Sequence, residues 1–174
     1  MHPAREDLLT AVALPTGLGT FEADLSGVGV RRLRFPTERT GDGRPGDRRA
    51  ADLAEQLDAY LRGDLDEFAV ALDLRGTPFQ LTVWAQLRAI PYGEVRTYGQ
   101  VAAAIGRPSA VRAVGAANGA NPVPVIVPCH RVIGGDGRLV GFGAGIEWKL
   151  RLLEIENPAR WRGLAPSSAG TSRC

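Results

Sequence analysis

The segment NPVPVIVPCHRVIG, residues 121–134, places Cys129 directly before His130 in a Pro-rich apolar run. A thiolate is a strong nucleophile, and a neighbouring imidazole that a carboxylate orients can take the thiol proton. Adjacent side chains of an extended segment point in opposite directions, so direct contact needs a turn, which Pro128 helps to create. A bridging water is the favoured route between the two groups. From composition alone, a buried cysteine beside a structural histidine is the simpler interpretation.

Upstream of this segment, the sequence predicts two short helices in succession. A capping box formed by Thr97 and Gln100 opens the first helix, which ends at Gly106, and the second helix covers 109–118. Two short helices joined by a tight turn that contains glycine are typical of a helix-turn-helix. The second helix consists of small apolar residues around one charge, Arg112. This face fits either close packing against a neighbouring helix or insertion into a DNA groove with Arg112 projecting.

The N-terminal part of the chain predicts a sheet followed by a helix. Residues 8–35 contain three apolar-rich runs separated by turn residues, which indicates a three-stranded antiparallel meander. A polar loop at 37–46 leads to a helix at 47–62, where leucines and a tyrosine recur at helical spacing. A short apolar run at 68–74 predicts one further strand.

The C-terminal part begins with a strong helix start at Thr77, where Pro78 suits the first turn and Gln80 completes a capping box. A glycine-rich turn at 134–137 follows the cysteine segment, and a last helix is predicted at 145–156. We therefore expect an α+β fold with an N-terminal three-stranded antiparallel sheet and helix, and a mostly helical C-terminal domain that contains the helix-turn-helix. The predicted divisions are an N-terminal subdomain at 1–75, a C-terminal domain at 76–157 and a flexible tail at 158–174, with Trp161 as a candidate anchor.

Composition and charge narrow the function classes only in part. The chain has 174 residues, of which 44% are hydrophobic, enough for one large domain or two small ones. Its net charge of +2 does not by itself indicate a nucleic-acid-binding protein, and its many arginines suit phosphate contacts but equally follow from genomic composition. No signal peptide or membrane span is recognisable, and a soluble cytoplasmic protein is expected. Because that compartment is reducing, Cys129 and Cys174 are expected to be free thiols.

The sequence also predicts that no metal or cofactor is bound. One adjacent Cys–His pair does not form a zinc site without a second pair at ligand spacing. Phosphate-loop and dinucleotide-binding fingerprints are absent, because the glycines of 134–145 precede no strand–loop–helix unit.

These segments together resemble the O6-alkylguanine-DNA alkyltransferases, also called methylated-DNA–protein-cysteine methyltransferases. The motifs that carry the resemblance are VPCHRVIG at 127–134 with NPVP at 121–124, FQLTVWAQLRAIPYGEVRTYGQVA, VRAVGAAN, GFGAG at 141–145 and LLEIE at 152–156. The resemblance is strong over 76–156, and the N-terminal part matches as a sheet plus helix of the expected size. It implies irreversible transfer of an alkyl group, such as methyl, from O6-alkylguanine in double-stranded DNA to Cys129. The nucleotide is flipped out first, and each molecule acts once.

The resemblance assigns the chemistry to four residues. Cys129 looks like the alkyl acceptor and His130 like its water-mediated base. Glu156 resembles the carboxylate that orients His130, and Asn121 resembles the residue that braces the turn by hydrogen bonds. The family implies a monomer without a cofactor, and it leaves activity on O4-alkylthymine open.

A second set of residues is implied on the DNA side. Arg112 resembles the arginine that fills the space left by the flipped base. Tyr98 matches the tyrosine that crowds the phosphate, and it is the candidate proton donor to the leaving guanine. Members of the family bind the minor groove through the second helix, and the small residues around Arg112 suit that approach. Further DNA contacts are implied for Ser109, Ala113, Gly115 and Arg131.

The expected substrate pocket includes Val140, Phe142 and Gly143, and two of these depart from the family pattern. Family members often have tyrosine at the position of Phe142, so the apolar wall is kept while a hydroxyl is lost. Gly143 stands where some members carry a hydroxyl that contacts guanine. We therefore expect backbone groups to contribute more to guanine recognition here. The N-terminal half also lacks the Cys/His set that binds zinc in some relatives.

Two other functions remain open at the level of the sequence. Alkyltransferase-like proteins bind lesions without repairing them, but they lack the acceptor cysteine that Cys129 supplies here. A thiol hydrolase could use Cys129, His130 and Glu156, but it needs an oxyanion hole that the sequence does not identify. A hydrolase would also leave the helix-turn-helix and Arg112 without a role.

Overall fold

The structure is a computed structural model that describes residues 8–37 and 47–164. Within them, the chain forms two compact units. The first holds the described residues up to Gly76 together with Pro122–Ile126, and the second holds Thr77–Asn121 and the chain from Val127 onward. The second unit begins one residue after the predicted boundary, whereas the return of Pro122–Ile126 to the first unit was not predicted. Most of the predicted 37–46 loop and both His2 and Cys174 lie outside the described residues.

A three-stranded antiparallel sheet forms the first unit, as the sequence predicted. Its strands are β1 (Thr10–Thr16), β2 (Gly19–Leu25) and β3 (Val30–Arg34), in that order. Alternate residues point into the core, so that Leu14 and Phe21 are fully buried where β1 pairs with β2.

One helix, α1 (Arg48–Arg62), packs on β1 and confirms the predicted helix. The Asp47 side chain caps its start by accepting the backbone N–H groups of Arg49 and Ala50. Gly63 ends it in a left-handed conformation at φ 79°, which glycine adopts without strain. The buried face consists of Ala50, Leu53, Leu57, Tyr60 and Leu61.

The predicted strand at 68–74 is wrong, because only Leu72 pairs with the sheet, as a parallel bridge to Val30. The backbone N–H of Ala69 instead donates to the side chain of Gln56 on α1, so the segment divides its hydrogen bonds between two neighbours. The bridge also depends on Gly29, since a Cβ there would lie 2.3 Å from the carbonyl oxygen of Ala71.

The second unit is mostly helical. Its helices are α2 (Pro78–Arg88), α3 (Tyr98–Ala104), α4 (Val111–Gly119), α5 (Ile146–Glu156) and α6 (Pro158–Trp161). Both predicted capping boxes are present, at Thr77 and Thr97. The indole N–H of Trp84 on α2 donates to the carbonyl of Ala117 at 2.8 Å, and α4 packs against both α2 and α3. Two short strands, β4 (Arg96–Thr97) and β5 (Val132–Ile133), pair in parallel.

The prediction of a flexible tail from residue 158 is wrong for the described part of that tail. Asn157 accepts the backbone N–H of Arg160, and Pro158 suits the first turn, so α6 forms directly after α5. Trp161 is the anchor, as predicted: it is buried in an apolar cluster with Ile133, Leu150 and Leu153. The burial of this indole packs α6 against the rest of the second unit. No helix of the described residues has the length and apolar character needed to cross a membrane.

Candidate active site

Cys129, His130 and Arg131 form one short 3-10 turn, and all three residues are buried. The N–H of Cys129 donates to the carbonyl of Val127 at 2.8 Å, and the N–H of Arg131 donates to that of Pro128 at 3.0 Å. The chain is therefore not extended at the cysteine. The turn after Pro128 holds the thiol, the imidazole and the guanidinium in one region of the unit.

The imidazole of His130 is oriented by a buried carboxylate from the end of α5. Nε2 of His130 lies 2.7 Å from Oε1 of Glu156, and both side chains are inaccessible to solvent. Burial acts to raise the pKa of Glu156, but its bonds to His130 and Arg131 prevail and hold that pKa at about 2. Since the carboxylate is ionised at neutral pH, Nε2 must carry the ring proton, which leaves Nδ1 as the basic nitrogen. Burial lowers the pKa of His130 despite the opposing effect of Glu156, so the ring is neutral and able to accept a proton.

Arg131 is directed into the protein. Its Nε lies 3.0 Å from each oxygen of Glu156 and its Nη2 lies 2.8 Å from Oε1, while Nη1 donates to the carbonyl of Ile90 at 2.7 Å. The residue is only 7% exposed. The expected DNA contact of Arg131 is therefore corrected: its donors are used inside the protein, where they fix the Glu156 carboxylate.

Asn121 lies beside the thiol. Its Nδ2 donates to the carbonyl of Val127 at 2.7 Å, which links the chain just after α4 to the segment that leads into the cysteine turn. Burial raises the pKa of the Cys129 thiol, while hydrogen bonding from the Asn121 side chain and the charge of Lys149 act to lower it. The resting group is thus a thiol at neutral pH, and forming a thiolate requires a base.

Lys149 belongs to the same cluster, although the sequence analysis assigned it no role. It is fully buried on α5, and its Nζ donates to the carbonyl of Val140 at 2.8 Å. Burial lowers the pKa of this ammonium to about 8, while a negative charge on Cys129 acts to raise it. Two signals could have pointed to the residue: it is the sole lysine among 21 basic residues, and it precedes Glu156 by seven positions on one helix.

Tyr98 joins this cluster to the predicted pocket segment. Its hydroxyl donates to the carbonyl of Val140 at 3.3 Å, and its ring lies 3.9 Å from where a Cβ on Gly115 would be. Burial, with a smaller effect from a charge on Cys129, raises the pKa of Tyr98 to about 12, so the hydroxyl keeps its proton at neutral pH. Of the other pocket residues, Phe142 is half-buried and Gly143 is exposed.

Comparison with known proteins identifies the family. The model of the 6-O-methylguanine DNA methyltransferase DNA-binding domain matches residues 78–158. A crystal structure of the Mycobacterium tuberculosis O6-methylguanine methyltransferase is 44% identical with a TM-score of 0.77, covering 87% of this chain and 94% of that one. This chain belongs to the O6-methylguanine methyltransferase family. The M. tuberculosis protein in complex with DNA is 46% identical with the same TM-score, covering 86% of this chain and 93% of that one.

Curated members of this methyltransferase family align over a shorter stretch. The methylated-DNA–protein-cysteine methyltransferase of Mycobacterium leprae is 58% identical over 106 residues, which are 61% of this chain and 64% of that protein. Its counterpart from Mycobacterium bovis is 61% identical over 102 residues, which are 59% of this chain and 62% of that protein. The chain thus spans less than two thirds of the length of these relatives in the alignments.

The residues for which the methyltransferase resemblance implies DNA contacts differ in how exposed they are. Arg112 and Ala113 are exposed on α4, and Ser109 is exposed in the turn before it. Gly115 is half-buried and faces the Tyr98 ring, so it belongs with the cysteine cluster. The exposed side of α4 and the buried cluster are therefore carried by one helix.

Two further observations complete the site. Asn118, which the sequence analysis did not single out, is buried on α4, and its Nδ2 lies 3.5 Å from the carbonyl of Cys129. Within 8–37 and 47–164, no group of three or more His, Cys, Asp and Glu side chains is arranged to hold a metal ion.

Proposed function

We propose that this chain repairs O6-alkylguanine in double-stranded DNA by transferring the alkyl group to Sγ of Cys129, once per molecule. The observation that carries the proposal is the buried turn in which Cys129 adjoins an imidazole that Glu156 orients at 2.7 Å. Membership of a methyltransferase family, and the similarity to a family member crystallised with DNA, support the choice of substrate.

The chemistry proceeds in two steps. Nδ1 of His130 takes the thiol proton through a bridging water, and the Glu156 carboxylate stabilises the imidazolium that forms. The Cys129 thiolate then attacks the alkyl carbon, the bond from that carbon to O6 breaks, and its electron pair stays with guanine. Tyr98, whose hydroxyl is protonated at neutral pH, donates a proton to the guanine anion, and the resulting tyrosinate regains a proton from solvent. The product is a thioether, and since none of these groups cleaves it, the protein is used once.

Access to the alkyl carbon requires that the nucleotide leave the duplex, because a stacked base cannot present its O6 substituent to a buried thiol. In the proposal α3 and α4 act as a helix-turn-helix whose small, exposed residues enter the minor groove. Arg112 fills the space left by the flipped base, and Tyr98 crowds the adjacent phosphate. Exposed contacts are assigned to Ser109 and Ala113, and the pocket to Val140, Phe142 and Gly143.

A mass-spectrometric experiment tests the function. The protein is incubated with duplex DNA that contains O6-methylguanine, and intact and peptide masses are recorded. We expect the gain of one methyl group on the peptide that contains Cys129, no gain in Cys129→Ser, and an unchanged gain in the matched control Cys174→Ser. Retained DNA binding without transfer would favour a lesion sensor, and repeated turnover of an ester would favour a hydrolase. The same assay with O4-methylthymine, and the molar mass in solution, test the second substrate and the monomeric state.

A further inference from the structure

The turn formed by residues 91–94, between α2 and β4, contacts the groups that support His130. It is closed by the N–H of Glu94, which donates to the carbonyl of Pro91 at 3.1 Å. Its central residues are Tyr92 and Gly93, and the proton transfer described above uses neither of them. The 91–94 turn stays beside the cysteine segment because β4, which begins two residues later, pairs in parallel with β5.

Tyr92 and the residue before the turn hold the guanidinium of Arg131. Cζ of Arg131 lies 5.8 Å from the centroid of the Tyr92 ring, within the range of a cation–π interaction. Nη1 of Arg131 donates to the carbonyl of Ile90 at 2.7 Å. The Tyr92 hydroxyl donates to the carbonyl of Ile155 at 3.3 Å, one residue before Glu156 on α5. Tyr92 therefore contacts both the guanidinium and the end of the helix that carries the carboxylate.

Gly93 contacts the carboxylate itself. Its N–H donates to Oε2 of Glu156 at 3.2 Å, and its carbonyl accepts a hydrogen bond from Nδ2 of Asn157 at 3.2 Å. The residue has a φ of 76°, a left-handed conformation that favours glycine. A Cβ at this position would lie 3.2 Å from the carbonyl oxygen of Glu156, closer than ordinary van der Waals contact. A side chain here would therefore strain the backbone and push the N–H away from the carboxylate.

The carboxylate of Glu156 needs such donors because of its place on α5. It stands at the last residue of the helix, where the helix dipole disfavours negative charge, and the last turn contains no basic residue. Its side chain is inaccessible to solvent, so water does not stabilise the charge. Oε1 faces Nε2 of His130 at 2.7 Å, and Oε2 accepts the N–H of Gly93. A donor on Oε2 opposes rotation of the carboxylate and so keeps Oε1 directed at the imidazole.

We propose that the 91–94 turn is a positioning element of the alkyl transfer, which sets the orientation of Glu156 towards His130. The N–H of Gly93 acts on the carboxylate directly, and the ring of Tyr92 acts through Arg131. This role rests on the proposed function, because the orientation affects transfer only if the thiol next to the imidazole is the acceptor.

The turn affects the proton transfer through the charge that His130 acquires. When Nδ1 takes the thiol proton, the ring becomes an imidazolium, and the ionised Glu156 opposite Nε2 stabilises it. A carboxylate turned away from Nε2 stabilises the imidazolium less, so less thiolate forms at neutral pH. No proton passes through the turn, which holds the acceptor of the Nε2 hydrogen bond and the guanidinium beside it.

The first test compares Gly93→Ala with the matched control Gly63→Ala. Gly63 has a similar φ of 79°, but a Cβ there would meet nothing within 4 Å, so the control carries the backbone strain without displacing Glu156. Rates with free O6-benzylguanine are measured between pH 6 and 10, which leaves DNA binding out. Gly93→Ala should react roughly tenfold more slowly at pH 7, and the loss should shrink at alkaline pH, where hydroxide removes the thiol proton. Gly63→Ala should match the wild type at every pH.

Double variants separate a positioning role from a purely structural one. If the turn acts through the base, Gly93→Ala adds no further loss to His130→Gln, because the group that it positions is already gone. Tyr92→Leu, which leaves the backbone unaltered, should behave in the same way and decides the question if Gly93→Ala does not fold. Tyr92→Phe keeps the ring over Arg131 and should stay within about twofold of the wild type. Losses that multiply with that of His130→Gln, losses equal at every pH, or unaltered rates would each overturn the proposal.

A spectroscopic measurement reports the orientation of Glu156 without the reaction. The chain has two histidines, so ¹⁵N-histidine labelling of His2→Gln leaves the signals of His130 alone. The Nε2 proton, which the carboxylate accepts, should resonate downfield in this protein and move upfield when Gly93→Ala is added. Adding Gly63→Ala should leave it in place. An unmoved Nε2 proton in the folded Gly93→Ala protein would show that the turn does not orient the carboxylate.

Methyl transfer from duplex DNA by the wild type is measured in parallel and separates the two proposals. Transfer together with an unmoved Nε2 signal keeps the proposed function and rejects the role of the 91–94 turn. Absence of transfer in the wild type rejects the proposed function, and with it the role of the turn in transfer, even where the signal moves.

Discussion

The guanidinium of Arg131 binds the carboxylate of Glu156 through three N–H···O contacts of 2.8 to 3.0 Å, at a buried site. The same carboxylate accepts the hydrogen bond from His130. Glu156 is thus held from two sides, and its orientation towards the imidazole does not depend on substrate. Arg131 of the Pro-Cys-His-Arg motif therefore holds the Glu156 carboxylate in position.

Removal of Arg131 is expected to destabilise the fold strongly. Arg131→Met leaves the Glu156 carboxylate buried without its main counter-charge, which typically costs about 3–5 kcal/mol of unfolding free energy. Arg131→Lys should restore little, because one ammonium cannot reproduce the planar fork. Urea denaturation measures both, with the exposed Arg138→Gln as control. A variant as stable as the wild type but weak in DNA binding would instead support the DNA contact predicted from sequence.

Stability at acid pH should depend on Glu156. Its pKa is about 2 in the folded protein and near 4.5 when unfolded, so between these values the unfolded chain binds more protons. The stabilisation from the ionised carboxylate is complete above pH 4.5 and is lost as the pH falls towards 2. It amounts to about 3 kcal/mol at most. Denaturation of the wild type and Glu156→Gln across this range should show the gap between them closing, and a constant gap would contradict the assignment.

Loss of the imidazole should slow the reaction in a pH-dependent manner. Burial raises the pKa of the Cys129 thiol, so at neutral pH the thiolate forms only with a base. His130→Gln is expected to lower the rate with free O6-benzylguanine by roughly 10²-fold at pH 7. The loss should diminish at alkaline pH, where hydroxide removes the thiol proton unaided. Rates between pH 6 and 10 measure this, and an identical loss at every pH would indicate that His130 only supports the fold.

Arg112 should matter for duplex DNA and not for the chemistry. It is exposed on α4, and filling the space of a flipped base offsets part of a cost of a few kcal/mol. Arg112→Ala should therefore slow repair of O6-methylguanine in duplex DNA by roughly tenfold or more, since 1.4 kcal/mol corresponds to a factor of ten. The rate of Arg112→Ala with free O6-benzylguanine should equal that of the wild type. The control Arg62→Ala should equal the wild type with both duplex DNA and free O6-benzylguanine. If Arg112→Ala lost the same factor with both substrates, Arg112 would not fill the space left by the flipped base.

Local signals in the sequence predicted the regular structure well. The capping boxes at Thr77 and Thr97 and the stop at Gly63 act through neighbouring backbone groups, so each was readable from a few residues. The strand predicted at 68–74 does not form, because an apolar pattern does not show which backbone groups are available as hydrogen-bond partners. The tail expected from 158 failed because Trp161 packs in a buried cluster with Ile133, Leu150 and Leu153, a contact that only the folded chain creates.

The sequence by itself determined the chemistry of the nucleophile: an adjacent Cys129 and His130 after a proline, in a motif of one family, with Glu156 as the expected third member. Only the tertiary structure decided where the charges lie. It turned Arg131 inward onto Glu156 and buried Lys149 against the Val140 carbonyl. The physical reason is that a covalent neighbour is fixed by the chain, whereas burial and ion pairing depend on which distant segments pack together.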